Sequence, residues 1–218
     1  MKKPYVFISD FDGTLSTKDF YQIIMDEYLG DEGKRLFEDW KAGKYMDKDF
    51  LNKIYSSINR NEEEIMEDIM RIQLDDGAND FIDHVKTSGG EFVIASAGTS
   101  YYIERLLEKY QIRDVKVYSN PGVYKDRGIH LQIDPSDKYY SKRYGIDKAK
   151  IVEEYKKKYQ KVFYAGDSQP DVAACKIADI AFAKSKLIDL LESEGVPCIP
   201  VLTYQDIEDY LRKEGVLY

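Results

Sequence analysis

The chain has 218 residues, 40 of them acidic and 32 basic, for a formal charge of −8. That length can bury one sizeable core, or one core with a small insertion. The acidic balance excludes the basic stripe of a nucleic-acid binder, and the lack of an apolar run of about 18 residues excludes a membrane-spanning helix.

The first predicted strand covers residues 5–9, a short apolar run rich in β-formers. It is too short, and followed too soon by acids, to serve as a signal peptide. Asp10-Phe11-Asp12-Gly13-Thr14 comes directly after it. From Leu15 to Asp76 no strand pattern appears. Helices are expected there over 19–29, 33–41, 48–57 and 62–72, with Phe20, Ile23, Ile24 and Tyr28 on one face. Residues 15–76 are therefore read as a small helical cap, inserted into a main domain made of 1–14 and 77–218. Asp75-Asp76-Gly77 supplies the turn and helix start that return the chain to that domain, and the helix that follows carries His84.

Further strands are expected over 92–95, 115–118, 162–165 and 180–183, and the apolar stretch 198–202 offers one more. Helical patterns separate most of them. The alternation predicts an α/β fold: a Rossmann-like, mainly parallel sheet covered by helices on both faces. Residues 123–133 place Asp126-Arg127-Gly128 between apolar flanks and read as a hairpin. The runs Glu62-Glu63-Glu64 and Lys156-Lys157-Lys158 read as solvated helix faces, and the 19 tyrosines as packing residues. Two cysteines, Cys175 and Cys198, make neither a disulfide framework nor a CxxC pair, so a reducing, cytoplasmic setting is expected.

In parallel α/β sheets, ligands bind beyond the carboxyl ends of the strands. The residues there are Asp10-Phe11-Asp12-Gly13-Thr14, Ser96-Ala97-Gly98-Thr99 and Gly166-Asp167-Ser168-Gln169-Pro170-Asp171. Clustered carboxylates repel one another unless a cation neutralises them, and hard oxygen donors favour magnesium over zinc. A calcium loop fails on spacing, because its fifth and twelfth positions counted from Asp10 hold Thr14 and Tyr21. Two acids placed as Asp10 and Asp12 can divide the work between a nucleophile and a proton donor. Ser96 and the amides after it suit a phosphate at a helix start, or equally a helix cap. Asp167, directly after its strand, suits a metal, whereas Asp171 suits either the site or the dipole of the next helix. A phosphoryl group also needs a cation, and Lys148, Lys150 and Lys142 all qualify by position.

Together these residues resemble the haloacid dehalogenase (HAD) superfamily, and its phosphatases in particular. Asp10-Phe11-Asp12-Gly13-Thr14 matches the first motif, DxDGT, and Ser96 the second. Lys148 matches the third, and Gly166-Asp167-Ser168 with Asp171 the fourth, GDSxxD. The resemblance spans nearly the whole chain. It implies a sheet of order 5-4-1-2-3 and an aspartyl-phosphate mechanism. Asp10 is then the nucleophile and Asp12 the general acid/base. Ser96, Ala97 and Lys148 hold the phosphate. Asp10, Asp167 and the carbonyl of Asp12 hold Mg2+, and Asp171 orients the metal's waters or Lys148.

The helical insert resembles the small cap of the phosphoserine-phosphatase-like branch. Residues 10–20 and 166–174 are also similar to the phosphatases of methionine salvage. Two features depart from these branches: no cysteine lies within 136–147, and no arginine occupies the middle of the cap. Asp19 and Lys53 are the cap residues that the resemblance puts nearest a substrate. The expectation is a magnesium-dependent phosphomonoesterase acting on a small phosphate ester, a cytoplasmic monomer or homodimer with no membrane or nucleic-acid partner. A phosphotransferase or phosphomutase of the same fold, or a silent phospho-ligand binder, are the rival readings.

Overall fold

The computed structural model describes residues 2–218. Its first strand, β1 (Lys3–Ser9), alternates cleanly between two buried faces: Tyr5 and Phe7 join one apolar cluster, Val6 and Ile8 another. Burial on both faces marks a central strand of a parallel sheet. The chain then leaves for the insert. It forms α1 (Phe20–Ile24), a single π-helical turn over Met25–Leu29, α2 (Gly30–Lys41), α3 (Asp47–Ser56) and α4 (Glu62–Ile69). The expected helix over 19–29 is thus α1 continued by the π turn, and the other three insert helices fall within a few residues of the pattern.

The remaining elements are α5 (Ala78–Thr87), β2 (Glu91–Thr99), α6 (Ser100–Lys109), β3 (Lys116–Asn120) and the hairpin β4 (Gly122–Lys125) with β5 (Gly128–Leu131). A two-residue ladder follows, β6 (Tyr140–Ser141) against β7 (Gly145–Ile146), then α7 (Lys148–Lys158) and β8 (Tyr159–Gly166). The chain ends with α8 (Val172–Cys175), β9 (Ile180–Ala183), α9 (Lys186–Ser193), β10 (Ile199–Pro200) and α10 (Tyr204–Lys213). The main sheet is parallel throughout, in the order β10-β9-β8-β1-β2-β3. This is the expected 5-4-1-2-3 order, with the short sixth strand added at one edge. The ladder β6–β7 was not expected from the sequence.

Register explains where the site forms. Ser9 lies opposite Ile94 of β2 and opposite Ala165 of β8. The three strands therefore end almost level, and Asp10, Ser96 and Asp167 emerge at one rim. Pairing of β2 with β3 is interrupted between Ala95 and Thr99. Ser96, Ala97 and Gly98 thus bend off the ladder toward the same rim.

The insert is anchored at two places. Its entering and leaving strands pair: the Thr17 amide donates to the Gln73 carbonyl at 2.9 Å and the Asp75 amide to the Leu15 carbonyl at 2.8 Å. Lys184, almost fully buried, joins Asp75 at 2.6 Å and the Thr14 carbonyl at 3.3 Å, tying both strands to the end of β9. The second anchor is the hairpin. Asp126 and Arg127 both have positive φ, 49° and 62°, the geometry of a type I′ turn that matches strand twist. The Arg127 Nε donates to Asn59 Oδ1 at 2.9 Å, and its carbonyl accepts the Arg60 amide at 3.0 Å. Gly128 is needed here for space, since a Cβ would sit 2.7 Å from the Ser56 carbonyl oxygen. Inside the insert, Trp40 stacks on Phe50 with ring centres 4.7 Å apart. Phe20, Ile24, Phe50, Ile54 and Tyr55 are buried in the same apolar cluster as one face of the main sheet.

Candidate active site

At the rim, Lys148 is the organising charge. It is the first residue of α7, whose N-cap Asp147 accepts the Lys150 amide, and its side chain is 2% exposed. Its ammonium lies 2.7 Å from Asp10 Oδ1 and 2.7 Å from Asp171 Oδ1. Burial pulls the lysine down, but Asp10 and Asp171 more than offset it and hold the ammonium charged, above its ordinary value. The structure separates the three lysines that the sequence left open. Lys150 turns away to the Tyr140 carbonyl, 2.9 Å off, and Lys142 is exposed.

Asp171 has no capacity left for other work. Its Oδ1 accepts from Lys148 and, at 2.6 Å, from the Tyr164 hydroxyl; its Oδ2 accepts the amides of Asp167 and Ser168, each at 3.1 Å. It holds the lysine and shapes the loop after β8. Gly166 makes room, since a Cβ there would lie 2.4 Å from the Asp171 carboxyl carbon.

Asp10 is 5% exposed. Its amide donates to the Ala165 carbonyl at 2.9 Å, and its Oδ1 accepts the Phe11 amide at 2.6 Å as well as Lys148. Burial, then the Asp171 charge, push its carboxyl well above the usual range while Lys148 opposes them. Asp167 faces Asp10: carboxylate oxygens of Asp10, Asp167 and Asp171 lie within 4.8 Å of one another. Burial and the charges of Asp171 and Asp19 raise Asp167 to about 7. Its Oδ1 is buried with no hydrogen-bond partner. An orphaned acceptor of this kind is costly, and one lysine cannot balance Asp10, Asp167 and Asp171. A divalent cation bound through oxygen fits both the orphan and the charge deficit.

Asp12 stands on the other side of the loop. Gly13 turns the chain with φ of 72°, and a Cβ there would lie 2.7 Å from Asp167 Oδ2. Asp12 Oδ2 accepts from the Tyr102 hydroxyl and, at 3.3 Å, from Ser96 Oγ; Oδ1 meets only the Phe20 amide, at 3.4 Å. Burial, then the charge of Asp19, lift its carboxyl to about 7, against the lowering effect of the Tyr102 bond. A carboxyl poised near neutrality suits proton exchange. Ser96 is fully buried, and its Oγ also accepts the Gly98 amide at 2.9 Å. The N-cap of α6 is Thr99, so Ser96 is not the helix cap. Beside it, the Ala97 carbonyl is held at 2.8 Å by Asn120 Nδ2, which also bonds the Tyr144 carbonyl at 2.9 Å. This buried amide couples the Ser96 loop to the β6–β7 turn, which leads into α7 and Lys148.

Of the two cap candidates, Asp19 is brought in. It is half-buried at the start of α1, takes a 2.9 Å bond from Gln22 Nε2, and is close enough to Asp12 and Asp167 to raise both. Its own carboxyl is raised, chiefly by burial. Lys53 is not brought to the cluster. It is exposed, with its ammonium 5.0 Å above the Tyr45 ring. Tyr102, Tyr164 and Asn120 were not expected as site residues. Each sits in an ordinary helix or strand pattern, and only the fold shows that its polar end meets the rim.

With this geometry in view, the comparisons with known proteins agree. The family model of haloacid dehalogenase-like hydrolases matches residues 7–176. The 2-hydroxy-3-keto-5-methylthiopentenyl-1-phosphate phosphatase of Brevibacillus brevis is 26% identical over 216 residues, covering 98% of this chain and 97% of that protein. The protein of the same name from Lysinibacillus sphaericus is 27% identical over 211 residues, with 94% and 92% covered. Among solved structures, a phospho-aspartyl intermediate analogue of phosphoserine phosphatase superposes with a TM-score of 0.70 at 23% identity, over 96% of this chain and 99% of that one. A substrate-bound phosphoserine phosphatase gives 0.71 at 21%, with the same coverage. The chain belongs to the haloacid dehalogenase-like hydrolases and is an enzyme of that family. Its structural neighbours confirm the Rossmann-like α/β fold, and no helix among the described residues is long and apolar enough to cross a membrane.

Proposed function

We propose that the protein is a magnesium-dependent phosphomonoesterase that hydrolyses a small phosphate ester through a phosphoryl group carried on Asp10. The observation that carries this reading is the buried constellation at the rim. A nucleophilic carboxylate held by Lys148 faces an acid with an orphaned oxygen, and a second carboxyl poised near 7 stands beside them. Asp10, Asp167 and the Asp12 carbonyl are the groups that would hold Mg2+, whose bound charge lowers Asp10 into its nucleophilic form and neutralises phosphoryl oxygens.

In the first step an Asp10 carboxylate oxygen forms a bond to phosphorus. The bond from phosphorus to the ester oxygen breaks, and Asp12 gives that oxygen its proton. In the second step Asp12 takes a proton from water as the water oxygen attacks phosphorus, and Asp10 leaves as a carboxylate. Lys148 stays charged and faces the phosphoryl oxygens throughout, while Ser96 and the Ala97 amide line the other side of the group. Residues 15–76 act as a cap over this site, and Asp19 meets the part of the substrate beyond the phosphate. The names of the relatives put 2-hydroxy-3-keto-5-methylthiopentenyl-1-phosphate first among candidate esters, and the structural neighbours add phosphoserine. The chemistry needs no membrane or nucleic acid, and a cytoplasmic monomer or homodimer suits it.

The test is phosphate release from a panel of small esters, with and without magnesium, by wild type and Asp10→Asn. The reading expects turnover that needs both magnesium and Asp10. Full activity of Asp10→Asn would sink it.

A further inference from the structure

The bonds around Asp12 are unequal, and the inequality has a source in the fold. Its Oδ2 accepts from two hydroxyls, Tyr102 and Ser96, and its Oδ1 meets only a long contact from the Phe20 amide at 3.4 Å. An oxygen that already accepts two hydroxyl protons is poorly placed to carry a third. The acidic proton then belongs on Oδ1.

Tyr102 reaches Asp12 by a route that the surrounding residues keep open. It is the third residue of α6 and is fully buried. Its ring is held by Phe20, with centres 5.0 Å apart, by Phe11 at 6.0 Å and by Tyr55 at 6.5 Å. Its hydroxyl passes directly over Gly98. A Cβ at Gly98 would lie 1.9 Å from that hydroxyl and 2.6 Å from Asp12 Oδ2. Any other residue at position 98 would therefore drive the tyrosine and the acid apart. Two features, a hydroxyl aimed at the acid and a glycine that clears its path, point to the same contact.

We infer that Tyr102 is a positioning residue for proton transfer: it occupies Asp12 Oδ2 and so fixes Oδ1 as the oxygen that exchanges the proton. The inference rests on the reading of Asp12 as general acid/base. In the first step the proton on Asp12 Oδ1 goes to the ester oxygen as that oxygen leaves phosphorus. In the second, Oδ1 takes a proton from the attacking water. Tyr102 keeps its own proton in both and touches no reacting atom. Without it the carboxyl can turn, and the proton can sit on either oxygen.

Leaving groups distinguish this role from simple packing. An alkoxide needs a proton as it departs, whereas p-nitrophenolate leaves without one. Tyr102→Phe removes one oxygen and keeps the ring. With magnesium present, kcat/KM for a simple alkyl phosphate, which reports the steps up to phosphoryl transfer and not the shared hydrolysis, should fall about tenfold or more in this variant. With p-nitrophenyl phosphate kcat/KM should change less than about twofold. In an Asp12→Asn background the same substitution should add nothing further to the alkyl loss.

Equal losses of kcat/KM on the two esters, or no loss on either, would overturn the inference. If Tyr102→Phe does not fold, Gly98→Ala replaces it as the variant that parts the two groups. It should show the same dependence on the leaving group, and a uniform loss would again count against the idea. The wild-type and Asp10→Asn controls keep the two readings apart. Magnesium- and Asp10-dependent turnover with a uniform Tyr102→Phe loss rejects only the role of Tyr102. Turnover independent of Asp10 rejects the phosphatase mechanism itself.

Discussion

The floor and the roof of this site are built by different rules. On the floor, Asp10, Lys148 and Asp171 are nearly sealed. Asp171 accepts from Lys148, Tyr164 and two amides, and Lys148 touches two carboxylates at 2.7 Å. At the roof, Asp12 and Asp19 are less enclosed, and Asp12 Oδ1 has only a contact at 3.4 Å. Under the proposed mechanism, the comparison teaches how one fold assigns two jobs to chemically identical side chains. The carboxylate proposed to meet phosphorus is fixed by a buried cation and a backbone amide. A carboxyl that must gain and lose a proton keeps one oxygen free and sits in surroundings that raise it to about 7.

Removing the floor's cation should do the most damage. Lys148→Ala leaves Asp10 and Asp171 buried without their partner, and such a loss costs ~3–5 kcal/mol. Urea unfolding should show a drop in unfolding free energy of that size, together with loss of phosphate release. A shift under about 1 kcal/mol would mean that the floor is not held by this charge.

Next in size is the dependence of the metal-free protein on pH. Asp12 and Asp167 are raised to about 7, above the ordinary carboxyl range near 4 that the unfolded chain shows. An acid raised in the folded state binds its proton more tightly there. Its contribution is present below the unfolded value and is lost as pH rises through the folded one. Without magnesium, the thermal midpoint should therefore fall between about pH 4.5 and 7.5. Added magnesium should raise the midpoint more at the upper end, where the acids are ionised. A flat profile, or a magnesium effect larger at the acidic end, would contradict the account of Asp167.

The position of this cluster was legible in the sequence because the local signals agree there. Apolar strands end abruptly in acids, and Gly13 and Gly166 stand where close approach demands them. The parallel α/β architecture followed from the same alternation, and the sheet order from the resemblance to the family. The cap helices were legible from their 3.6-residue spacing, apart from the π turn at Met25–Leu29, which has no periodic signature. Tyr102 and Asn120 were hidden because the partners of their polar tips are distant in sequence, 90 positions away for Tyr102 and 23 for Asn120; Tyr164 was hidden because it reads as strand packing, although Asp171 lies only 7 positions on. The choice of Lys148 over Lys150 came from the resemblance alone, because both lie on the first turn of α7 and only the fold shows that Lys148 meets Asp10 and Asp171 while Lys150 meets the Tyr140 carbonyl.

The smallest expected effects lie at the roof's edge, and they sharpen the comparison. Asp19→Ala should raise KM by about tenfold with a modest change in kcat, since Asp19 sits at the start of α1, outside the Asp10–Lys148–Asp171 ion pairs. Lys53→Ala should change kcat/KM less than about twofold, because its ammonium lies over Tyr45. Steady-state kinetics on the best ester checks both. A larger effect of Lys53 than of Asp19 would reverse the assignment of the cap's substrate face.

The central claim is the covalent bond between Asp10 and the phosphoryl group. A rapid acid quench of the magnesium-loaded enzyme during turnover of an ester labelled in its phosphate, followed by peptide analysis, tests it directly. The account predicts label on the peptide that carries Asp10, and none in Asp10→Asn. Steady phosphate release with no labelled protein, or with label on another residue, would contradict it.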